Sequence, residues 1–346
     1  MRRVTENQGK HTPGVDGITW STPQEKSKGI DSLKRRGYRP KPLRRVYIPK
    51  TNGKRRPLSI PVKKDLALQA LYKLALEPVA ETTGDQNSYG FRIGRCTADA
   101  IEQAFNLTAR RGATPWILEG DIKACFDEIS HEWMLKNICI DKRTLAQWLK
   151  AGYVEKGQLF PTDAGCPQGG ILSPVLANMA LDGLEELLGM FYGSITLDKN
   201  RNRARQEQVH LIRYADDFII TGKNREILEQ EIKPLVREFL AERGLRLSEE
   251  KTRITHISEG FDFLGQNIRK YHVGTEREKL LVTPAKKNVK AFLAEIRGVI
   301  RKLKSTTQDT LIRLLNPKIT GWANYHRHVV ASKAFAAADH QIWKAL

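Results

Sequence analysis

At 346 residues the chain is long enough for two or three domains and a sizeable core. Lys and Arg number 58 against 39 acids, a net charge of +19, which points to a polyanionic partner. With no long apolar run or signal-like start, and no C-x-x-C or zinc-like spacing among the four cysteines, the sequence argues against a membrane protein, a disulfide scaffold and a zinc module.

Residues 1–29 are polar around the turn-rich Thr12-Pro13-Gly14-Val15-Asp16-Gly17, and little there can be buried without a partner. Residues 32–64 carry 13 Lys and Arg and no acid. Within them 43–61 alternates as a hairpin, Tyr47-Ile48-Pro49-Lys50 and Arg56-Pro57-Leu58 flanking an Asn52-Gly53 turn. Lys50 and Arg56 beside that turn could together reach one small anion, although a solvated basic hairpin has the same pattern. Leu66, Leu71, Leu74 and Val79 predict a buried helix over 64–81. Ser88-Tyr89-Gly90-Phe91-Arg92 forms a loop before a helix containing Ala98, Ile101 and Phe105. Trp116-Ile117-Leu118-Glu119-Gly120-Asp121-Ile122 is an apolar strand ending in an acid, and Phe126 opens a helical stretch to Asn137. Asp121 could equally be a helix N-cap.

Gly165-Cys166-Pro167-Gln168-Gly169-Gly170 is a loop that lets backbone approach a ligand, and a helix over 173–188 follows, Pro174 suiting its first turn. Residues 198–208 are charged and predict an exposed insertion. His210-Leu211-Ile212-Arg213 and Phe218-Ile219-Ile220-Thr221 then flank Tyr214-Ala215-Asp216-Asp217, the pattern of strand, tight turn and returning strand with two acids at the tip. Alone, that is also the pattern of a solvent turn. An amphipathic helix over 223–244 is interrupted near Pro234, and strands begin near Arg253 and Phe261. From Pro284 the chain becomes helical and basic, with Val289, Phe292, Leu293, Ile296 and Ile300 on one face. Residues 284–346 hold 12 Lys and Arg against three acids. Two basic regions thus bracket a slightly acidic centre. His326 and His328, a pair with metal-like spacing, read as solvated residues on a basic helix.

If Asp121, Asp216 and Asp217 converge, charges about 4 Å apart repel by ~4 kcal/mol at an effective dielectric near 20. Such a cluster must take up protons or cations. Oxygen-only ligands favour Mg2+ over zinc, and two such ions suit an in-line phosphoryl displacement. With Lys50 and Arg56 for triphosphate, the constellation is that of nucleotidyl transfer.

The ordered motifs resemble the reverse transcriptases, or maturases, encoded by bacterial group II introns. The resemblance runs from Thr12-Pro13-Gly14-Val15-Asp16-Gly17 through Tyr47-Ile48-Pro49-Lys50, Ser88-Tyr89-Gly90-Phe91-Arg92 and Asp121 with Phe126. It continues through Pro167-Gln168-Gly169-Gly170, Tyr214-Ala215-Asp216-Asp217, Gly244-Leu245 with Lys251, and Phe263-Leu264-Gly265. It ends in Leu315-Asn316-Pro317-Lys318-Ile319-Thr320-Gly321-Trp322-Ala323-Asn324-Tyr325, similar to the family's thumb. Nearly the whole chain is covered in the right order.

The resemblance implies an α+β right-hand polymerase fold with an antiparallel palm sheet and a three-helix thumb. The implied parts are an N-terminal extension (1–30), fingers (31–98 and 131–165), palm (99–130 and 166–283) and thumb or maturase domain (284–346). It implies Asp121, Asp216 and Asp217 as ligands of two Mg2+ ions, for which Mn2+ can substitute, with the Ile122 carbonyl assisting. Lys50 and Arg56 match triphosphate-binding residues, Phe126 the ring that excludes a 2′-hydroxyl, and Gln168 the lining of the nucleotide pocket. Lys251 follows the pattern in a less defined role, and Leu264-Gly265 matches the turn that grips the primer end. Lys286, Lys290, Arg297 and Arg301 on the first thumb helix are candidates for RNA binding. The implied partners are dNTPs, group II intron RNA, an RNA template and a DNA primer or target, in the bacterial cytoplasm and away from membranes. Monomer and homodimer stay open. No stretch resembles the DNA-binding and H-N-H endonuclease regions found in many members, so target-strand cleavage is not expected of this chain. A final helix without a stop signal leaves a longer natural chain open. Reverse transcriptases of retrons, diversity-generating elements or CRISPR loci are the alternatives, as is a maturase that only binds RNA for splicing; an RNA-copying RNA polymerase fits Phe126 poorly.

Overall fold

Strands form where β-branched and aromatic residues run between turn residues, and helices where apolar residues recur every three or four positions. The computed structural model describes residues 1–49, 53, 55–110, 112–192, 208–273 and 277–346. Lys50, the turn residues Thr51 and Asn52, and nearly all of the insertion expected at 198–208 lie outside the described residues. Among the described residues, twelve strands follow in chain order: β1 (Leu43–Pro49), β2 (Arg55–Ile60), β3 (Trp116–Lys123), β4 (Tyr153–Glu155), β5 (Gln158–Phe160), β6 (Leu211–Tyr214), β7 (Asp217–Gly222), β8 (Arg246–Leu247), β9 (Arg253–His256), β10 (Phe261–Phe263), β11 (Gln266–Val273) and β12 (Arg277–Pro284). The chain divides into two compact units: Met1–Arg95, Asp121–Leu187 and Lys233–Ser248 form the first, and Cys96–Gly120, Leu188–Ile232 and Glu249–Leu346 the second.

In the first unit a sheet runs β2-β1-β4-β5. The expected hairpin is present, with Val46 opposite Leu58 and Ile48 opposite Arg56. The β4-β5 hairpin beside it was not legible in the sequence. Helix Lys63–Thr83 covers the expected span but is buried mainly along its first turns rather than along the expected stripe. Leu66 and Ala67 pack with Val4 and Trp20, whereas Leu71 and Leu74 are 51% and 55% exposed and Val79 also faces outward. Leu66, Leu68 and Leu76 are buried together with Ala67 and Ala70; the run Asp65–Ala70 is enclosed on every side, and the exposed Leu71 and Leu74 lie just beyond it. The helix expected over 173–188 is two helices, Ser173–Leu181 and Leu184–Tyr192. At the break Gly183 takes φ +95°, and the Asp85 carboxylate accepts the Gly183 N–H (2.9 Å) and the Glu185 N–H (3.4 Å). A side chain distant in sequence thereby caps the second helix.

The second unit holds the order β6-β7-β3, with β9 also pairing β3. β3 and β9 are antiparallel, Leu118 opposite Ile254. The end of the Phe218 ring, at the start of β7, packs against Gly120 of β3: a Cβ at Gly120 would stand 2.2 Å from the ring. A second sheet, β10-β11-β12, is antiparallel throughout. Three helices follow, Lys286–Lys302, Gln308–His326 and Ser332–Trp343. They pack around Phe292, Ile296, Ile300, Leu315, Ala338 and Ile342, the face expected from the apolar spacing, and Trp322 stacks on Phe292 at 4.3 Å.

The helix expected over 223–244 is interrupted as Pro234 requires. A π-helical turn, Leu228–Ile232, precedes helix Lys233–Ala241; proline lacks the N–H and crowds the carbonyl four residues back, so the preceding turn widens. Among the described residues no helix is long and apolar enough to cross a membrane.

Candidate active site

In the second unit, Tyr214 pairs with Asp217 across β6 and β7, so Ala215-Asp216 is a two-residue hairpin loop. Ala215 sits at φ +57°, a region glycine normally fills, at a cost of roughly 1–2 kcal/mol. Such strain concentrates where side-chain aim matters. The strands behind the loop are held rigidly: Leu211, Ile212, Phe218, Ile219 and Ile220 are all buried to 1% exposure or less. The acids themselves stay accessible, Asp216 half-buried and Asp217 exposed. The solvent-turn pattern is therefore a stiff hairpin that presents two carboxylates.

In the first unit, Asp121 is a half-buried residue within β3 rather than a helix N-cap. Its carbonyl accepts the Ser248 N–H at 2.8 Å, and buried Ile122 pairs with Leu247 of β8. Ala124, at φ +46°, then turns the chain into the short helix Cys125–Glu128.

That helix and the loop at 165–170 are stitched together. The Phe126 carbonyl accepts the Cys166 N–H (2.7 Å), and the Ile129 carbonyl accepts the Gly165 N–H (2.7 Å). Gly165 is at φ +81°, and a Cβ there would meet the Phe126 carbonyl oxygen at 2.5 Å; no other residue allows this approach. The Gln168 carbonyl accepts the Ser59 N–H of β2 at 2.7 Å, and its side chain donates to Asp127 at 3.5 Å. Phe126, half-buried, meets Phe91 edge-on with centroids 6.0 Å apart. One unit thus gathers Phe126, Gln168 and the strand of Arg56, whose side chain is exposed. Burial pushes the Cys166 thiol far above its ordinary range, which makes it an inert packing group.

Leu264-Gly265 is the two-residue loop between β10 and β11, Phe263 pairing with Gln266. Both positions have positive φ, +47° and +76°, as a type I′ turn demands. Lys251 is exposed in the β8–β9 connection. Lys286, Lys290, Arg297 and Arg301 are all exposed, and at about 100° per residue they fall within an arc of roughly 60° on their helix. Arg297 holds Gln341 at 2.6 Å.

Residues 48–268 match the family described as reverse transcriptase (RNA-dependent DNA polymerase). The chain belongs to the reverse transcriptase family. Residues 289–346 match the maturase-specific domain of group II introns, and residues 1–33 the N-terminal domain of reverse transcriptase. Protein YkfC of Escherichia coli is 31% identical over 87% of this chain and 88% of its own. The group II intron-encoded protein LtrA of Lactococcus lactis is 30% identical over 94% of this chain and 67% of its own. A solved apo telomerase from Candida Tropicalis, truncated from its C-terminal domain, aligns with a TM-score of 0.47 and 18% identity, over 66% of this chain and 53% of that one. This reverse transcriptase therefore has the right-hand polymerase fold and is an RNA-directed DNA polymerase with a group II intron maturase domain. The family works with divalent metal ions, and its partners are RNA, DNA and nucleotides.

The structure also corrects one expectation and adds residues. His326 is not solvated: it is 1% exposed, and its Nδ1 meets Gln266 Oε1 at 3.0 Å. Tyr325 Oη donates to the Leu264 carbonyl at 2.7 Å. Sequence spacing held no sign of either contact, because each partner lies about sixty residues upstream. Burial holds His131, His210 and His326 below the ordinary histidine range. In the unfolded chain these groups bind protons near pH 6.5, where the folded protein does not, so stability is lost as pH falls through that value. The thermal midpoint is expected to drop between pH 7 and pH 5, and His326→Asn to flatten that slope. An unchanged slope in the variant would place the titration at the other histidines.

Proposed function

We propose that this reverse transcriptase copies RNA into cDNA at a site formed by Asp121, Asp216 and Asp217, and that it binds group II intron RNA to assist splicing and homing. The observation that carries the reading is the Tyr214–Asp217 loop: two adjacent, accessible carboxylates on a hairpin whose apolar strand residues are buried. Support for adding Asp121 comes from the sheet, because Phe218, next after Asp217, packs on Gly120, the residue before Asp121. We assign two Mg2+ ions to these carboxylates, with Mn2+ as a substitute and the Ile122 carbonyl as a further ligand. The donor set is all oxygen, as a hard cation requires. Among the described residues no three His, Cys, Asp or Glu side chains form a group that could hold a metal ion by themselves. Mg2+ keeps waters and takes substrate phosphate oxygens beside one or two carboxylates. When bound, such ions supply charge neutralisation to the attacking and leaving oxygens.

The chain's own residues then position the substrates. Arg56, with Lys50, neutralises the triphosphate from the fingers hairpin. Phe126 closes the space a 2′-hydroxyl would need, Gln168 lines the nucleotide pocket, and Lys251 adds a positive charge. Leu264-Gly265 grips the primer end. Lys286, Lys290, Arg297 and Arg301 form a stripe for phosphates of intron RNA, read through backbone and shape. In this reading 31–98 and 131–165 are fingers, 99–130 and 166–283 palm, 284–346 thumb and 1–30 an extension, working in the bacterial cytoplasm.

Primer extension by the purified protein on an RNA template, run beside intron RNA binding, tests both halves; absence of Mg2+-dependent extension refutes the first and absence of intron-selective binding the second. For the pocket, Phe126→Val is expected to raise the rate ratio of rNTP to dNTP incorporation by roughly 10- to 100-fold. An unchanged ratio would remove Phe126 from sugar selection.

A further inference from the structure

The Leu264-Gly265 loop is held from outside its own sheet. The Ala285 N–H donates to the Gly265 carbonyl at 3.0 Å, and a Cβ at Gly265 would meet Asn288 Nδ2 at 2.7 Å. These contacts come from the start of helix Lys286–Lys302. The contact to Leu264 comes from the far end of the next helix, through the Tyr325 hydroxyl at 2.7 Å.

Behind the phenol the helix cannot readily shift. His326 is buried against Gln266, itself 1% exposed and the first residue of β11. Tyr325 and Trp322 both meet the His326 ring edge-on, at 5.0 and 5.1 Å. Tyr325 is nonetheless 38% exposed, so its hydroxyl is not explained as filler in a core. One hydroxyl therefore ties the loop between β10 and β11 to the last turn of helix Gln308–His326.

We propose that Tyr325 is a positioning residue for nucleotide addition: its hydroxyl fixes the Leu264-Gly265 loop against helix Gln308–His326, and so sets where the primer end stands. This rests on the reading of Leu264-Gly265 as the loop that grips the primer. The consequence is a link between the maturase-type helix Gln308–His326 and the chemical step. Loss of the hydroxyl leaves the ring, the helix and the exposed binding surfaces in place and frees only the loop carbonyl.

The test is single-turnover addition of one dNTP to a DNA primer on an RNA template, with Tyr325→Phe and Leu264→Ala each compared with the parent chain. Tyr325→Phe is expected to lower the maximal rate on the order of three- to tenfold, the span of one lost hydrogen bond. The apparent affinities for primer–template and dNTP are expected to be unchanged, and the unfolding midpoint to stay within about 2 °C. Leu264→Ala is expected to lower extension from the same primer. A slow Leu264→Ala with a normal Tyr325→Phe overturns the proposal and leaves the grip reading standing. Normal rates in both overturn the grip reading and the proposal with it. A Tyr325→Phe chain that is slow only through weaker primer–template binding, or through a lowered midpoint, has lost a binding or structural contact and also overturns the proposal, as does a slow Tyr325→Phe beside a normal Leu264→Ala.

Discussion

Asp216→Asn is expected to abolish Mg2+-dependent cDNA synthesis while intron RNA binding stays nearly intact. The amide keeps the shape of the carboxylate, and asparagine tolerates a hairpin loop well, so the fold has no reason to change. What is lost is the negative charge and its affinity for a hard cation. Metal stabilisation of phosphoryl transfer is worth several kcal/mol, and each ~1.4 kcal/mol is tenfold in rate, so the loss is about a thousandfold or more. Incorporation of labelled dNTP on an RNA template measures it, with filter binding of intron RNA as the parallel readout. Synthesis surviving at more than a few per cent would sink the assignment of the acids. A parallel collapse of RNA binding would mean that the substitution had disturbed the fold.

The second large effect is expected at Gly120. Its missing Cβ is the space the Phe218 ring occupies, with ring carbons 2.2 to 2.7 Å from where that atom would stand. Phe218 is 1% exposed and cannot swing aside, so Gly120→Ala forces strand β3, strand β7 or both to move. Overpacking of this kind costs about 1–3 kcal/mol, a drop of several degrees in the unfolding midpoint. The catalytic loss is expected to exceed the stability loss, roughly a hundredfold for a displacement near 1 Å. A smaller ring partner provides the control: Gly120→Ala combined with Phe218→Leu should recover part of both losses, since the two sites share one contact. A Gly120→Ala chain with the parental midpoint and rate would show that this contact does not set the spacing of the two strands.

Local features were legible and long-range ones were not. The Tyr214–Asp217 hairpin, the β1–β2 hairpin and the apolar face of helix Lys286–Lys302 follow from alternation, turn chemistry and helical spacing, which are properties of a short window. The break at Gly183 was missed because the apolar rhythm from Ser173 to Leu188 continues through it. The decision is made by the Asp85 carboxylate, 98 residues upstream of Gly183. Burial of His326 depends likewise on Gln266, 60 residues away. Leu71 and Leu74 have the spacing of a buried stripe, yet they lie beyond the enclosed run Asp65–Ala70. The chemistry was clearer than the packing, because paired acids, a basic hairpin and an ordered motif series mark function directly. Tyr325, by contrast, carried no mark except membership in a motif.

The chain path has a consequence for how this enzyme is made. Each compact unit is assembled from three separate segments, so neither is complete when its first part leaves the ribosome. The first waits for Ser248, and the second for residues near the end. Glu119, for instance, finds its hydroxyl partner Thr255 136 residues later, and strand β3 stands without β9 until then. Such late pairing favours slow folding and leaves apolar edges open during synthesis. Nascent chains stalled before β9 should therefore stay protease-sensitive through 96–120, whatever the state of the helices already formed.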